Sequence, residues 1–167
     1  MTLPRVALFV FGVGLLLSGC ATAPEPAKDY APLVARFYLE AKPGEAGVAV
    51  TLPQSGVTIN VSPKPVVVEY DLANAEVAQV DLGRCLFVQL NGSASRDLYR
   101  LSVGAIGRRL VLALNDQFVG ARRIEAAMEG GAILIFVEVP DAELPGMVER
   151  LKRTSADLAE AARKVRQ

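Results

Sequence analysis

The chain reads as an α+β, two-layer domain: a mostly antiparallel mixed sheet with about two helices on one face. Two observations predict it. Short runs rich in β-branched and aromatic residues alternate with Pro- and Gly-containing breaks, the signature of strands and turns. Two longer stretches instead space their apolar residues three and four apart, as an amphipathic helix does. The order is strands, helix, three strands, helix, and covering one face of a sheet with both helices buries every apolar stripe.

The elements follow in order. Ala35 to Ala41, Val48 to Leu52, Val57 to Val61 and Val66 to Tyr70 read as strands, separated by Pro-Gly, Gln-Ser-Gly and Ser-Pro-Lys-Pro breaks. Val77 to Leu90 is a longer strand-like run, interrupted at Asp81-Leu82-Gly83-Arg84 by a turn or a bulge. Ala94, Leu98, Leu101 and Ala105 then recur at helical spacing, with Ser93 placed to cap. Arg109 to Leu114, Gln117 to Ile124 and Ala132 to Val139 return to strand, joined by tight turns at Asn115-Asp116 and Glu129-Gly130-Gly131. A last helix is expected from about Asp141, a good N-cap, with Leu144, Val148 and Leu151 on one stripe and Pro145 in its first turn. The tail 154–167 is helical or frayed.

The N-terminus carries a different signal. A short segment from Met1 to Arg5 with one positive charge precedes an apolar run from Val6 to Leu17, and Leu17-Ser18-Gly19-Cys20 closes it. A charged start, a short greasy segment and small residues before a cleavage point describe a secretory signal, too short to span a bilayer. The cysteine directly after Ser18-Gly19 makes it similar to a bacterial lipobox. That resemblance implies residues 1–19 as signal peptide, cleavage before Cys20, and Cys20 as the lipid anchor. The alternative is an uncleaved signal anchor with Cys20 as an incidental thiol. Two or three acyl chains on one residue hold a protein on a membrane, where a single chain binds only marginally. Ala21 stands where Asp would favour inner-membrane retention, so a Gram-negative host implies the outer membrane, facing the periplasm. Residues 20–35 are the lipidated cysteine and a flexible tether, with Pro24, Pro26 and Pro32 favouring extended backbone. The domain proper is 36–153.

Composition narrows the chemistry. The 167 residues hold 18 Lys and Arg against 18 Asp and Glu, so no global field recruits nucleic acid. The count of histidine is 0, removing the commonest general base and metal ligand. Cys85, within Cys85-Leu86-Phe87-Val88, reads as a small buried hydrophobe, and no structural disulfide is expected. No nucleophile elbow, phosphate loop or zinc-protease motif is present. Asp71, Glu76 and Asp81 are spaced as solvating surface carboxylates. Arg96, Arg100, Arg108, Arg109, Arg122 and Arg123 form the one enriched set: either a basic patch for an anionic lipid or polymer, or charges neutralised by Asp97, Asp116 and Glu125. The expectation is no catalytic residue, no metal and no cofactor.

One resemblance covers much of the domain. It is carried by Val66-Val67-Val68 with Asp71-Leu72-Ala73-Asn74-Ala75-Glu76-Val77, by Phe87-Val88-Gln89-Leu90, and by Ser95-Arg96-Asp97-Leu98 with Leu101-Ser102. Ile106-Gly107-Arg108-Arg109-Leu110, Leu112 to Val119, Ala121, Ile124 and Gly130-Gly131 complete it. From about Val66 to Lys152 the chain resembles the head of the first periplasmic domain of SecD, the Sec translocon accessory protein. Asn115-Asp116 departs from that family's usual Asp-Gly, and Arg122 from its frequent Pro. The translocase membrane helices have no counterpart, so proton-driven motion is not implied. The resemblance implies a mixed α/β head suited to extended polypeptide, and it transfers no functional residue. Two functions follow as expectations: a non-catalytic, lipid-anchored envelope protein that binds a protein or extended peptide, or an accessory lipoprotein assembling with an envelope or secretion complex.

Overall fold

The computed structural model describes residues 29–165. The signal segment, Cys20 and the tether as far as Lys28 lie outside the described residues. The α+β class holds, with two antiparallel sheets in place of the single sheet expected. β1 (Ala35–Glu40), β2 (Val48–Thr51), β3 (Thr58–Val67), β6 (Arg109–Leu114) and β7 (Gln117–Arg123) form a five-stranded sheet in the order β2-β3-β1-β6-β7. β4 (Leu72–Val80), β5 (Gly83–Leu90) and β8 (Ala132–Ile135) form a three-stranded sheet in the order β4-β5-β8. Helices α1 (Gly92–Val103) and α2 (Leu144–Val165) pack on the main core.

Strand alternation builds that core. Ala35, Phe37 and Leu39 of β1 and Leu110, Leu112 and Leu114 of β6 point to one face, where they meet Leu86, Val88 and Leu90 of β5. Leu98 of α1 and Leu144, Met147, Val148 and Leu151 of α2 close the same cluster. The stripe expected on the last helix is therefore the buried one. That helix begins at Leu144 and runs through the tail to Val165.

The opposite face of the large sheet has its own small core, and its cause is local. The Ser-Pro-Lys-Pro segment, expected as a break between two strands, lies inside β3. Tyr38 pairs with Pro65 while Glu40 pairs with Val61, so β3 carries extra residues there as a bulge. Prolines are tolerated in strands at such bulges, and a bulge bends the strand. Val50, Leu52, Ile59 and Val61 cover Val111 on this second face, with Tyr38 and Phe118 rings 5.3 Å apart beside them.

Other boundaries shift for identifiable reasons. Asn91, not Ser93, caps α1: its Oδ1 accepts from the backbone N–H of Ser93 at 3.1 Å and Ala94 at 3.0 Å. The long run to Leu90 is a hairpin whose first strand starts at Leu72, before the expected Val77. Asn115 and Asp116 do form the tight turn, both at positive φ (45° and 65°), as a primed hairpin turn requires. β8 stops at Ile135 because Phe136 to Glu138 turn to β7, where the Glu138 N–H donates to Val119 O at 2.6 Å. The two sheets meet at this strap. Gly120 permits it, since a Cβ there would sit 2.3 Å from Phe136 O.

Candidate functional site

The site is a cleft between the edge of the small sheet and α2. β4 is paired with β5 on one side and is an outermost strand of its sheet. A cavity of about 490 Å³ opens along it, walled by Leu72 to Ala75 on the strand and by Lys152, Ser155, Ala156 and Ala159 on α2. Successive strand residues point to opposite faces, so a cleft lined by four consecutive residues runs along the strand's edge. Small side chains on α2 leave the space open, and Lys152 is its only charged lining group.

The mouth is held by a polar frame. Tyr70, 59% exposed, sits in a short helical turn, Glu69–Asp71, at one end of the cleft. Arg36 forks onto Glu69, with Nε at 2.9 Å and Nη2 at 3.2 Å, and this pairing holds the Glu69 carboxyl below the usual range. Asp71 accepts the Val68 N–H at 2.9 Å, and Asp71 O accepts from the Asn91 N–H at 2.8 Å. Asn91 also donates its side-chain amide to Tyr70 O at 3.1 Å. The cap of α1 thus fixes the cleft mouth as well.

On α2, the residues next to the cleft wall take the start of the described chain. Arg153 stacks over the Tyr30 ring at 4.2 Å and pairs with Asp29, and the Tyr30 hydroxyl donates to Asp157 at 2.7 Å. Thr154 Oγ1 accepts from the Leu33 N–H at 2.9 Å. At the β6–β7 turn, Asn115 bonds Pro32 O and the Val34 N–H.

The residues singled out in the sequence separate in space. Arg109 forks onto Glu40 at 3.0 and 2.6 Å and donates its N–H to the same carboxylate, holding Glu40 below the usual range against the opposing effect of burial. Arg108 bonds Glu40 O, and Arg122 donates to Leu134 O at 3.0 Å. Three of the six arginines are therefore tied into the fold. Asp116 pairs with Arg36 rather than with any of the six, and Asp97 pairs with Arg100 at 3.3 Å. Cys85 is 1% exposed, and burial raises its thiol above the ordinary value, opposed by Arg122. Asp71 holds a turn and Glu76 accepts from Asn74 at 2.8 Å, well apart from Asp81 in the hairpin turn. Among the described residues no group of His, Cys, Asp or Glu is arranged to hold a metal ion. No helix among them is long and apolar enough to cross a membrane.

The cleft escaped the sequence reading. Its strand wall begins at Leu72, in a stretch read as turn, and its helix wall lies partly in the alanine-rich tail. The exposed Tyr70 beside Asp71-Leu72 was the available signal.

No family model and no curated protein sequence matches this chain. Its fold is similar to that in a structure of SecDF, a membrane component that enhances protein export: TM-score 0.56, 17% identity, over 72% of this chain and 62% of that one. A crystal structure of SecDF in a super-membrane-facing form gives TM-score 0.56 and 16% identity, over 71% of this chain and 18% of that one. The chain thus spans less than two thirds of either SecDF chain, and at these identities what is shared is the fold.

Proposed function

We propose that this protein is a non-catalytic, lipid-anchored component of the cell envelope whose SecD-head-like domain holds an extended polypeptide segment in the β4–α2 cleft. The observation that carries the reading is the edge of β4 running along an open cleft. An edge strand offers unpaired backbone N–H and C=O groups, and an extended peptide satisfies them by adding as a further strand. Main-chain pairing of that kind asks little of the client's sequence. The small residues of α2 leave room for its side chains, Tyr70 offers an aromatic face, and Lys152 offers a charge for a carboxylate.

The test is a titration of the isotope-labelled full chain in detergent micelles with a carboxymethylated, permanently unfolded polypeptide, read by backbone amide shifts. Shifts should concentrate at Leu72 to Ala75 and along one side of α2. Ala156→Trp fills the cleft and should weaken binding by roughly tenfold or more. Flat shifts at high polypeptide concentration would remove the peptide-binding reading and leave the accessory, assembly role as the better one.

Anchoring is tested separately. Leu17-Ser18-Gly19-Cys20 supports lipidation of Cys20, release from the signal segment, and residence on the envelope, at the outer membrane in a Gram-negative host. Cys20→Ser should abolish acyl labelling and leave an unprocessed precursor in cells. Labelling that persists in that variant would overturn the assignment.

A further inference from the structure

The six clustered arginines divide into two groups. Arg108, Arg109 and Arg122 are bonded internally, whereas Arg96, Arg100 and Arg123 are exposed. Arg96 and Arg123 have no ion pair among the described residues, and Arg100 has only the exposed Asp97, an arrangement worth little and easily exchanged. Beside them α1 turns apolar side chains outward. Tyr99 and Val103 lie one helical turn apart, 43% and 53% exposed, and Ile106, just past the helix, is 59% exposed. A cavity of about 450 Å³ adjoins this stripe, lined by Ser95, Arg96, Tyr99, Arg100, Glu129 and Gly130. An aromatic anchor with arginines around a concavity is what concentrates binding energy at protein interfaces.

Topology selects the occupant. The chain enters at the Leu114 end of β6, where Pro32 and Val34 bond Asn115. Ile106 and Arg123 lie at the other end: Gly107 N–H bonds Ile124 O, and Arg109 pairs with Arg123. A strand of this length separates those ends by roughly 20 Å. A tether of about nine residues from Cys20 reaches at most about 30 Å. Given the anchoring reading above, attachment at one end of β6 turns the α1 stripe away from the bilayer. We propose that the outward face of α1, with its adjoining cavity, docks an acidic amphipathic segment of a protein partner, apolar residues meeting Tyr99, Val103 and Ile106 and carboxylates meeting Arg96, Arg100 and Arg123.

The probe is a synthetic amphipathic helix of Leu and Glu, labelled with a fluorophore, titrated onto the full chain in nonionic detergent against a Leu and Lys counterpart. The acidic peptide should bind saturably and at least about tenfold more tightly than the basic one, and Tyr99→Ala with Arg96→Glu should weaken it by a similar factor. Equal affinity for the two peptides, or no effect of the double substitution, overturns the proposal. Ala156→Trp should leave this titration unchanged. If it abolishes binding, the peptide occupies the β4 cleft, and this proposal falls while the cleft reading stands. In phosphatidylglycerol vesicles, a nitroxide on Val103→Cys should remain open to an aqueous quencher. Immersion in lipid, or spin coupling between copies, makes the occupant the membrane or a second chain and overturns the assignment to a protein partner.

Discussion

Replacing Phe37 by Ala should lower the free energy of unfolding by about 3–5 kcal/mol, the usual cost of emptying a buried aromatic site. Phe37 is 0% exposed and lies on β1, the middle strand of the large sheet. It stands opposite Val67 of β3 and Leu112 of β6, so the lost ring leaves a hole beneath both ladders at once. Neighbours pinned on two sides cannot relax far into it. Equilibrium denaturation should show the midpoint falling with the slope unchanged. A loss below about 1 kcal/mol would mean that the site collapses readily, contrary to close packing around a central strand.

Gly120→Ala should be nearly as damaging, though it adds a single methyl. The new Cβ would lie 2.3 Å from Phe136 O and 3.3 Å from Val137 Cα, all backbone, so no side chain can swing aside. Overpacking of this kind costs about 1–3 kcal/mol and more where the backbone must move. The bond from Glu138 N–H to Val119 O would break, and with it the seam between the sheets. Glu138 also gathers the Gln54 and Ser55 N–H groups at 2.7 and 2.9 Å, so the β2–β3 loop should loosen too. Hydrogen exchange at Glu138, Gln54 and Ser55 should quicken together. Gly146→Ala is the control: its Cβ meets nothing within 4 Å, and alanine in a helix should stabilise by up to roughly 1 kcal/mol. Equal effects of the two substitutions would rule out the steric account.

Much of the fold was legible because it is written in short-range chemistry. β1, β6 and the Asn115-Asp116 turn follow from alternation and turn preference, and the buried stripe of α2 from its period. What failed was long-range or competitive. Ser-Pro-Lys-Pro looks like a break, and only pairing with β1 shows it to be a bulge inside β3. Ser93 is a reasonable cap, but Asn91 sits at the position from which one oxygen reaches two N–H groups. Division into two sheets depends on which strands find each other across the chain, and no local pattern encodes that. The cleft was illegible for the same reason: neither β4 nor the end of α2 is distinctive alone, and the space exists only between them.

The attachment of the first described residues to α2 has a mechanical consequence. Tension entering from the N-terminal side meets two elements in series. Exposed contacts of Asp29 and Tyr30 with Arg153 and Asp157 take the load first. Their yielding would pay out about five residues, roughly 15–18 Å of extra reach, before any strand is disturbed. Behind them lies β1, gripped on both sides by β3 and β6. Its ladder bonds run across the strand, so a pull along its axis strains many of them in parallel instead of opening them one by one. The protein is thus built as a compliant leash on a stiff mount. Tugging should lengthen its reach while the cleft and the α1 face keep their shape.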